Sequence, residues 1–274
     1  MQSDTLSRRL LGDMRPESEP TLTRTGVALV QEALPDRPAL EVAVSRAILT
    51  RVAAGDLPPT VRLHRCAPIL AFSRQDRASA GYAAAVQAAR KAGFAPVVRL
   101  VGGRAAVYHE ATLACSVAVP DRHPAAHTQE RFRELAELLA AALARLGVDA
   151  RVGEIPGEYC PGAWSVNAGG RTKLVGIGQR LIAGGAHRGA VIVAGRSERV
   201  REVLIPVYEA LGLEWDPRTV GSIEDEVGDV PLERVVDAIR SELSVRYELT
   251  EAQIDDGTLA LASRLEHEHA VDGR

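Results

Sequence analysis

Two adjacent glycines, Gly169 and Gly170, separate two stretches that alternate polar and apolar side chains, "AWSVNA" at 163–168 and "TKLVGIGQRLI" at 172–182. Glycine accepts the positive φ of a tight turn between antiparallel strands, so the pattern predicts a β-hairpin. A third stretch, "RGAVIVAG" at 188–195, extends this hairpin into an antiparallel meander.

Helical patterns lie on both sides of this meander. Apolar residues recur at helical spacing, and glycine ends several of the stretches. The predicted helices are 38–54, 76–93, 127–147, 197–212, 231–246 and 250–267, the last with Thr250 as its N-cap. Other strands are expected as a pair within "TVRLHRCAPILAFSR" at 60–74, in "APVVRLV" at 95–101, and as two strands within 104–120. Hairpins grouped between helices predict an α+β fold, with a mostly antiparallel or mixed central sheet flanked by helices.

Composition sets the class of protein. The chain has 274 residues, 46% hydrophobic and 25% charged, which is enough for one large core. Residues 1–20 follow neither a period of two nor one of 3.6, so we expect a flexible N-terminal segment followed by a single domain over 21–274. The net charge of −3 provides no overall field that would attract nucleic acid or an anionic membrane.

The three cysteines are an odd number in a long chain, and no pair has the spacing of a zinc site. This argues against a disulfide framework and indicates a reducing compartment. With no apolar stretch of signal-peptide or membrane-span length, the sequence predicts a cytoplasmic protein without a metal site.

Cys160 precedes the outgoing strand of the hairpin, and Lys173 lies near the start of the returning strand. Pairing across Gly169-Gly170 would place the two on the same side of the hairpin. A nearby ammonium favours the thiolate, which is the nucleophilic form of cysteine. On the residues alone, an inert buried thiol and a solvated lysine are the more ordinary interpretation.

A second stretch, "VVRLVGGRAAVYHEATLACSV", contains other candidate binding residues. Gly102 and Gly103 allow the backbone to turn over a ligand, and Arg99 or Arg104 can bind an anionic group. His109 is a candidate for acid–base chemistry, although an isolated histidine at a strand end is more often structural.

These two stretches together resemble the biotin/lipoate protein ligase and acyltransferase superfamily over most of the chain. "VRLVGGRAAVYH" keeps Arg99, Gly102, Gly103, Val107 and His109 of a family segment, but has Val98 in place of an arginine and Arg104 in place of a third glycine. "GRTKLVGIGQR" matches a second family segment, through Gly170, Lys173, Gly176, Gln179 and Arg180. "EYCPG" resembles the cysteine motif of the branch that moves octanoyl or lipoyl groups between carrier proteins.

The resemblance implies that Cys160 is a nucleophile that forms an acyl thioester and that Lys173 is the active-site lysine beside the acyl carbonyl. It implies that an octanoyl or lipoyl group passes from a carrier-protein donor to a lysine of a lipoyl domain. No cofactor is expected. Expected partners are glycine-cleavage H protein, the E2 subunit of 2-oxoacid dehydrogenases and acyl-carrier protein. The expected substrate-binding residues are Arg99, Gly102, Gly103, Arg104, Ala105, His109, Gly176 and Gln179.

Two alternatives stay open at this point. A lipoate-protein ligase would activate free lipoate as lipoyl-AMP, would require ATP and Mg²⁺, and would need Lys173 but no cysteine. A protein that only binds lipoylated or biotinylated carriers would need neither residue for chemistry.

Overall fold

The computed structural model describes residues 24–271. The predicted flexible segment 1–20 lies outside this range. In chain order, the strands are β1 (Thr25–Val30), β2 (Thr60–Arg65), β3 (Ile69–Phe72), β4 (Ala95–Val98), β5 (Ala106–Tyr108), β6 (Thr112–Pro120), β7 (Ala150–Val152), β8 (Val166–Ala168), β9 (Thr172–Ile182), β10 (Gly185–Val193) and β11 (Tyr247–Ala252).

The helices are α1 (Pro38–Ala54), α2 (Arg74–Arg77), α3 (Tyr82–Lys91), α4 (Thr128–Ala144), α5 (Ser197–Leu211), α6 (Ile223–Val227), α7 (Leu232–Arg246) and α8 (Asp256–Leu265). Within residues 24–271, no helix combines the length and the apolar character needed to cross a lipid bilayer.

The strands form two sheets. The larger sheet has the order β11-β1-β2-β6-β10-β9-β8-β7, and the smaller has the order β4-β3-β5. In the larger sheet, β1 is parallel to both β2 and β11, whereas the pairs from β2 to β7 are antiparallel. The fold is therefore the predicted α+β class with a mixed central sheet and flanking helices.

The two faces of the larger sheet pack against different helices because side chains alternate along each strand. On β2, Val61 and Leu63 join the core cluster that contains residues of α4 and α7, whereas Arg62 contacts α1 on the other face. A further cluster joins the smaller sheet to α3 and α5. Cys160 packs at the border of that cluster, so the candidate site lies where the two sheets approach each other.

Three predictions about secondary structure were wrong. The predicted helix 250–267 with Thr250 as N-cap is instead strand β11 followed by α8, whose N-cap is Asp255. The strands β2 and β3 were expected to pair but belong to different sheets. The predicted helix 76–93 is broken before Tyr82, where a Cβ on Gly81 would lie 1.6 Å from the carbonyl oxygen of Ala210.

Candidate active site

Cys160 lies in the loop that leads into β8, and its backbone adopts φ +44°, which is unusual for a residue with a side chain. Its N–H donates a hydrogen bond of 3.0 Å to the hydroxyl of Tyr208 on α5. That hydroxyl in turn donates to the carbonyl of Ala105 at 3.1 Å. The buried tyrosine thus joins the cysteine loop to the segment that precedes β5, and holds Cys160 in a conformation that costs free energy.

The thiol of Cys160 is half-buried and has two hydrogen-bond donors. The backbone N–H of Arg104 lies 3.1 Å from Sγ, and Arg99 Nη1 lies 3.8 Å from it. Burial lowers the pKa of Arg99, but the charges of Cys160, Tyr108 and Tyr208 and the hydrogen bond to Cys160 together outweigh burial, so the net pKa is raised. Both donors favour a negative charge on sulfur, as a nucleophilic cysteine requires.

Gly103 allows this close approach. Its φ is +109°, and a Cβ at this position would lie 2.8 Å from Cys160 Sγ and 3.2 Å from Arg99 Nη1. Only glycine combines this backbone conformation with the required space.

Lys173 follows the hairpin turn on β9, and its side chain is 1% exposed. Its ammonium donates to Glu158 Oε1 at 2.8 Å, to the Tyr159 carbonyl at 3.0 Å and to the Cys160 carbonyl at 2.7 Å. The structure thus brings Lys173 to the main chain of Cys160, while main-chain and guanidinium donors contact the thiol itself. The three contacts use all three ammonium protons.

Glu158 connects Lys173 to the loop that contains Cys160. Besides Lys173, its Oε1 accepts hydrogen bonds from Ser165 Oγ at 2.6 Å and from the N–H of Gly162 at 3.2 Å. Its Oε2 accepts from the N–H of Ile155 at 3.1 Å. The carboxylate is therefore fully satisfied, and it fixes the 155–165 loop around the cysteine.

A cavity of about 90 Å³ lies between the larger sheet, β3 and α1, and Arg99, which contacts the thiol, is one of its lining residues. Arg99, Leu100 and Val101, from the segment that also contacts Sγ, form part of its wall. Most of the other lining residues are apolar. The polar lining residues come from α1, β2, β6 and β10, and they are Glu41, Ser45, His64, Ser116 and His187. Arg99 therefore connects the surroundings of the thiol to this cavity.

The remaining residues of the two glycine-rich segments contact β9, Lys173 and Tyr208. The N–H of Gly102 donates to the carbonyl of Gln179 at 3.4 Å, which ties the loop to β9. A Cβ on Gly176 would lie 3.5 Å from Lys173 Cε. Ala105 is buried and bonds to Tyr208 through its carbonyl. These residues shape the surroundings of the thiol and of the lysine.

Gln179 reaches the site only through its main chain. Its side-chain amide donates to the carbonyl of Thr128 at 2.8 Å, and its Oε1 accepts from Arg131 Nε at 3.2 Å. The side chain is therefore bonded to the start of α4, on the face of β9 opposite to Gly178, which lies under Val101.

His109 lies at the far end of β5, in the turn that leads to β6. Its N–H donates to Thr112 Oγ1 at 2.9 Å, and its Nδ1 accepts from the N–H of Ala111 at 3.2 Å. Burial lowers the pKa of His109 to about 4, so its imidazole is neutral at pH 7. Among residues 24–271 no hydrogen bond joins it to Cys160 or Lys173. Its hydrogen bonds to Ala111 and Thr112 lie within the turn itself.

Sequence reasoning missed three residues of this site, Glu158, Tyr208 and Asp76. Glu158 had a weak signal, since it is an acid two positions before the cysteine in "EYCPG". Asp76 is fully buried and lies 3.4 Å from Arg104 Nη1. It also completes a capping box with Ser73, and that motif predicts a helix start, not a place beside the thiol. No sequence motif around Tyr208 indicated that it belongs to the site.

Within residues 24–271, the structure contains no group of at least three His, Cys, Asp or Glu side chains placed to hold a metal ion. The chemistry available at the site is that of a half-buried thiol, hydrogen-bond donors aimed at it, and a buried ion pair beside its main chain.

Known proteins are similar to this chain in sequence and in fold. The octanoyl-[GcvH]:protein N-octanoyltransferase of Geobacillus kaustophilus is 30% identical over 170 residues, 62% of this chain and 60% of the relative. The protein of the same name from Exiguobacterium sp. is 28% identical over 150 residues, 51% of this chain and 52% of the relative. The matches thus span between half and 60% of the length of these relatives.

Among solved structures, the crystal structure of lipoate-protein ligase A bound with ATP superimposes with a TM-score of 0.70 at 19% identity. The superposition covers 89% of this chain and 95% of that one, and at this identity it establishes the fold. The family model described as "Lipoyl protein ligase A/B catalytic domain" matches residues 37–244, well over half of the chain. This chain belongs to the lipoyl protein ligase A/B catalytic domain family.

Proposed function

We propose that this protein is an acyltransferase that takes an octanoyl or lipoyl group from a carrier-protein donor onto Cys160, as a thioester, and passes it to a lysine of a lipoyl domain. The observation that carries the proposal is the pair of donors, Arg104 N–H and Arg99 Nη1, aimed at a half-buried Cys160 thiol. A ligase that forms an acyl-adenylate has no need of an activated thiol at this position.

In the first step, the Cys160 thiolate forms a bond to the acyl carbon, the bond from that carbon to the carrier breaks, and the carrier's thiol or lysine amine departs with the proton that Cys160 gave up. In the second step, the amine of the acceptor lysine attacks the thioester, Cys160 leaves as the thiol, and an amide is formed. Neither step consumes ATP, because the acyl group arrives already bound to a carrier. The names of the relatives support octanoyl as the acyl group and H protein as a partner.

The cavity lined by Arg99 is the proposed binding site of the acyl chain. Each buried methylene contributes about 0.8 kcal/mol, so an eight-carbon chain gains several kcal/mol from an apolar wall. The volume of about 90 Å³ is smaller than the ~150 Å³ of a cavity that binds benzene. Seating the chain therefore requires the cavity to widen.

Lys173 contributes a positive charge and a hydrogen bond to the main chain of Cys160. Its ammonium lies 2.7 Å from the Cys160 carbonyl, so its field favours negative charge on the sulfur and on a tetrahedral intermediate. Because its three protons already have acceptors, it must exchange one of these bonds to donate directly to the oxyanion.

The test is intact-protein mass spectrometry after incubation with an octanoyl-carrier thioester in the absence of ATP. Wild type and Cys66→Ser are expected to gain an octanoyl group that hydroxylamine releases, whereas Cys160→Ser gains no such hydroxylamine-labile thioester. Cys66 is a suitable control because it lines the same cavity, while burial raises the pKa of its thiol to about 12.

A different result would support the ligase. If no adduct forms, and both wild type and Cys160→Ser transfer free lipoate only when ATP is present, the thioester mechanism is wrong and Cys160 is structural.

A further inference from the structure

Asp76, in the first turn of α2, is a carboxylate that the protein buries completely, at 0% exposure. Its Oδ2 accepts a hydrogen bond from the N–H of Ser73 at 2.9 Å, and its own N–H donates to Ser73 Oγ at 3.0 Å. These two bonds form a capping box, which occupies one carboxylate oxygen. The other oxygen, Oδ1, lies 3.4 Å from Arg104 Nη1.

Capping alone does not account for the burial of Asp76. The same capping box occurs at the start of α6, where Asp225 accepts from the N–H of Ser222 at 2.9 Å and donates to its Oγ at 3.1 Å. Asp225 is exposed. Removing a carboxylate from water costs free energy, so the burial of Asp76 indicates a second role. Within residues 24–271, Arg104 is its one salt-bridge partner.

Arg104 determines the position of both donors to the Cys160 thiol. Its N–H lies 3.1 Å from Sγ. Its carbonyl accepts a hydrogen bond from Arg99 Nη1, which lies 3.8 Å from Sγ. Both donors therefore depend on the peptide groups of one residue, and a shift of Arg104 displaces them together.

The backbone before Arg104 does not fix its position by itself. Gly102 and Gly103 precede it, and glycine restricts the backbone less than any other residue. The main-chain bond from Gly102 to the carbonyl of Gln179 is 3.4 Å long. The contact between Arg104 and Asp76 has the same length, but it joins opposite charges, one of which is fully buried, and such bonds are the stronger kind. This contact therefore anchors the segment to α2.

We propose that Asp76 is a positioning residue, whose buried carboxylate holds the Arg104 side chain and thereby keeps the Arg104 N–H and the Arg99 guanidinium on the thiol of Cys160. The inference rests on Cys160 being the nucleophile of the proposed function. The anchor uses a position at which the chain departs from the family segment, since Arg104 stands in place of its third glycine.

The first test is the pH profile of Cys160 alkylation by iodoacetamide, measured by peptide mass spectrometry. Asp76→Asn keeps an oxygen for the Ser73 N–H but loses the charge that holds Arg104. Removing a negative charge would by itself favour the thiolate and shift the midpoint of the profile downward. Losing the N–H donor disfavours the thiolate, and we expect this effect to dominate, with an upward shift of about one pH unit.

The direction of the shift decides the proposal. An unchanged or lowered midpoint in Asp76→Asn would overturn it. Asp225→Asn makes the same change in the exposed capping box of α6, and its midpoint should equal that of wild type.

An Arg104→Ala background shows whether the effect passes through Arg104. Because this variant has already lost the anchored side chain, adding Asp76→Asn should give no further upward shift, and an equal upward shift would contradict the proposed route. If Asp76→Asn does not fold, Arg104→Ala decides alone. Its midpoint should rise and stay raised in 1 M sodium chloride, where the Debye length is about 3 Å. A rise that disappears in salt would reflect the lost charge and would overturn the anchoring role.

The rate of acyl-enzyme formation separates this proposal from the proposed function. With saturating octanoyl-carrier thioester near neutral pH, Asp76→Asn should react about tenfold more slowly than wild type, because about one-tenth as much thiolate is present. A wild-type rate in Asp76→Asn would overturn the positioning role and leave acyl transfer intact. If wild type itself forms no acyl-enzyme, the proposed function is wrong, and the alkylation profiles alone decide the role of Asp76.

Discussion

Lys173 Nζ and Glu158 Oε1 lie 2.8 Å apart, and both side chains are almost completely excluded from solvent, at 1% and 0% exposure. A buried charge that loses its partner is costly, because neither water nor a counter-ion replaces the lost contact. The pair also connects the cysteine loop to β9, so its loss affects both stability and the position of the thiol.

Glu158→Gln is therefore expected to lower the free energy of unfolding by about 3 kcal/mol, since it leaves the ammonium of Lys173 buried without an anion. Lys173→Met should cost a similar amount, and the double variant should cost less than the sum of the two. Denaturation in urea measures all three. Glu154→Gln, at an exposed position in the same loop, is the control. Additive losses in the double variant would contradict the coupling.

The Gly103 prediction concerns the thiol. Gly103→Ala introduces a Cβ 2.8 Å from Cys160 Sγ at a backbone φ of +109°. The thiol must move away from its donors, so the rate of acyl-enzyme formation should fall at least tenfold, with a loss of stability of about 1 kcal/mol. Gly102→Ala is a matched control, because a Cβ there meets no atom within 4 Å. Equal rates for the two variants would show that this close approach is unimportant.

The parts of the fold and the site that could be predicted from the sequence are those determined by residues close together in the chain. The hairpin between β8 and β9 follows from turn chemistry at Gly169-Gly170, and it brings Lys173 to the loop that contains Cys160. Strand β11 was mistaken for the start of a helix because its identity depends on pairing with β1, more than 200 residues earlier in the sequence. Short segments of ambiguous pattern take the structure that their distant partners impose.

The same distinction applies to the site. The donors to the thiol come from the 99–104 segment, and Arg104 is 56 positions from Cys160. Tyr208, which binds the Cys160 main chain, is 48 positions away. Neither contact follows from spacing in the sequence. Family resemblance singled out the glycine-rich segment, whereas its polar contacts with Cys160 became visible only in the fold.

The backbone of Cys160 leads to a prediction about strain. Its φ of +44° is adopted readily by glycine and at a cost by other residues. Cys160→Gly and Cys160→Ala both remove the thiol, so their difference isolates the backbone term. Cys160→Gly should be more stable than Cys160→Ala by about 1 kcal/mol, the reverse of the usual order in regular structure. Thermal unfolding of the two variants measures this difference, and a more stable alanine variant would mean that the loop relaxes without strain.

His187 on β10 provides a prediction about pH. Burial, together with the charges of Arg62 and Arg188, lowers its pKa to about 4. Below pH 6.5 the unfolded chain binds a proton that the folded protein does not take up until about pH 4. The free energy of unfolding therefore falls by about 1.4 kcal/mol per pH unit in this window, or about 3 kcal/mol in total.

His187→Asn should remove this contribution, so that the slope of stability against pH between 6.5 and 4 decreases by about 1.4 kcal/mol per unit. The slope that remains includes His109, whose pKa is also lowered to about 4. Urea denaturation at half-unit steps of pH measures the slope separately from any constant loss of stability caused by the substitution. His123→Asn, at an exposed position, should keep the slope of the parent. An unchanged slope in His187→Asn would mean that this imidazole is protonated in the folded protein despite its burial.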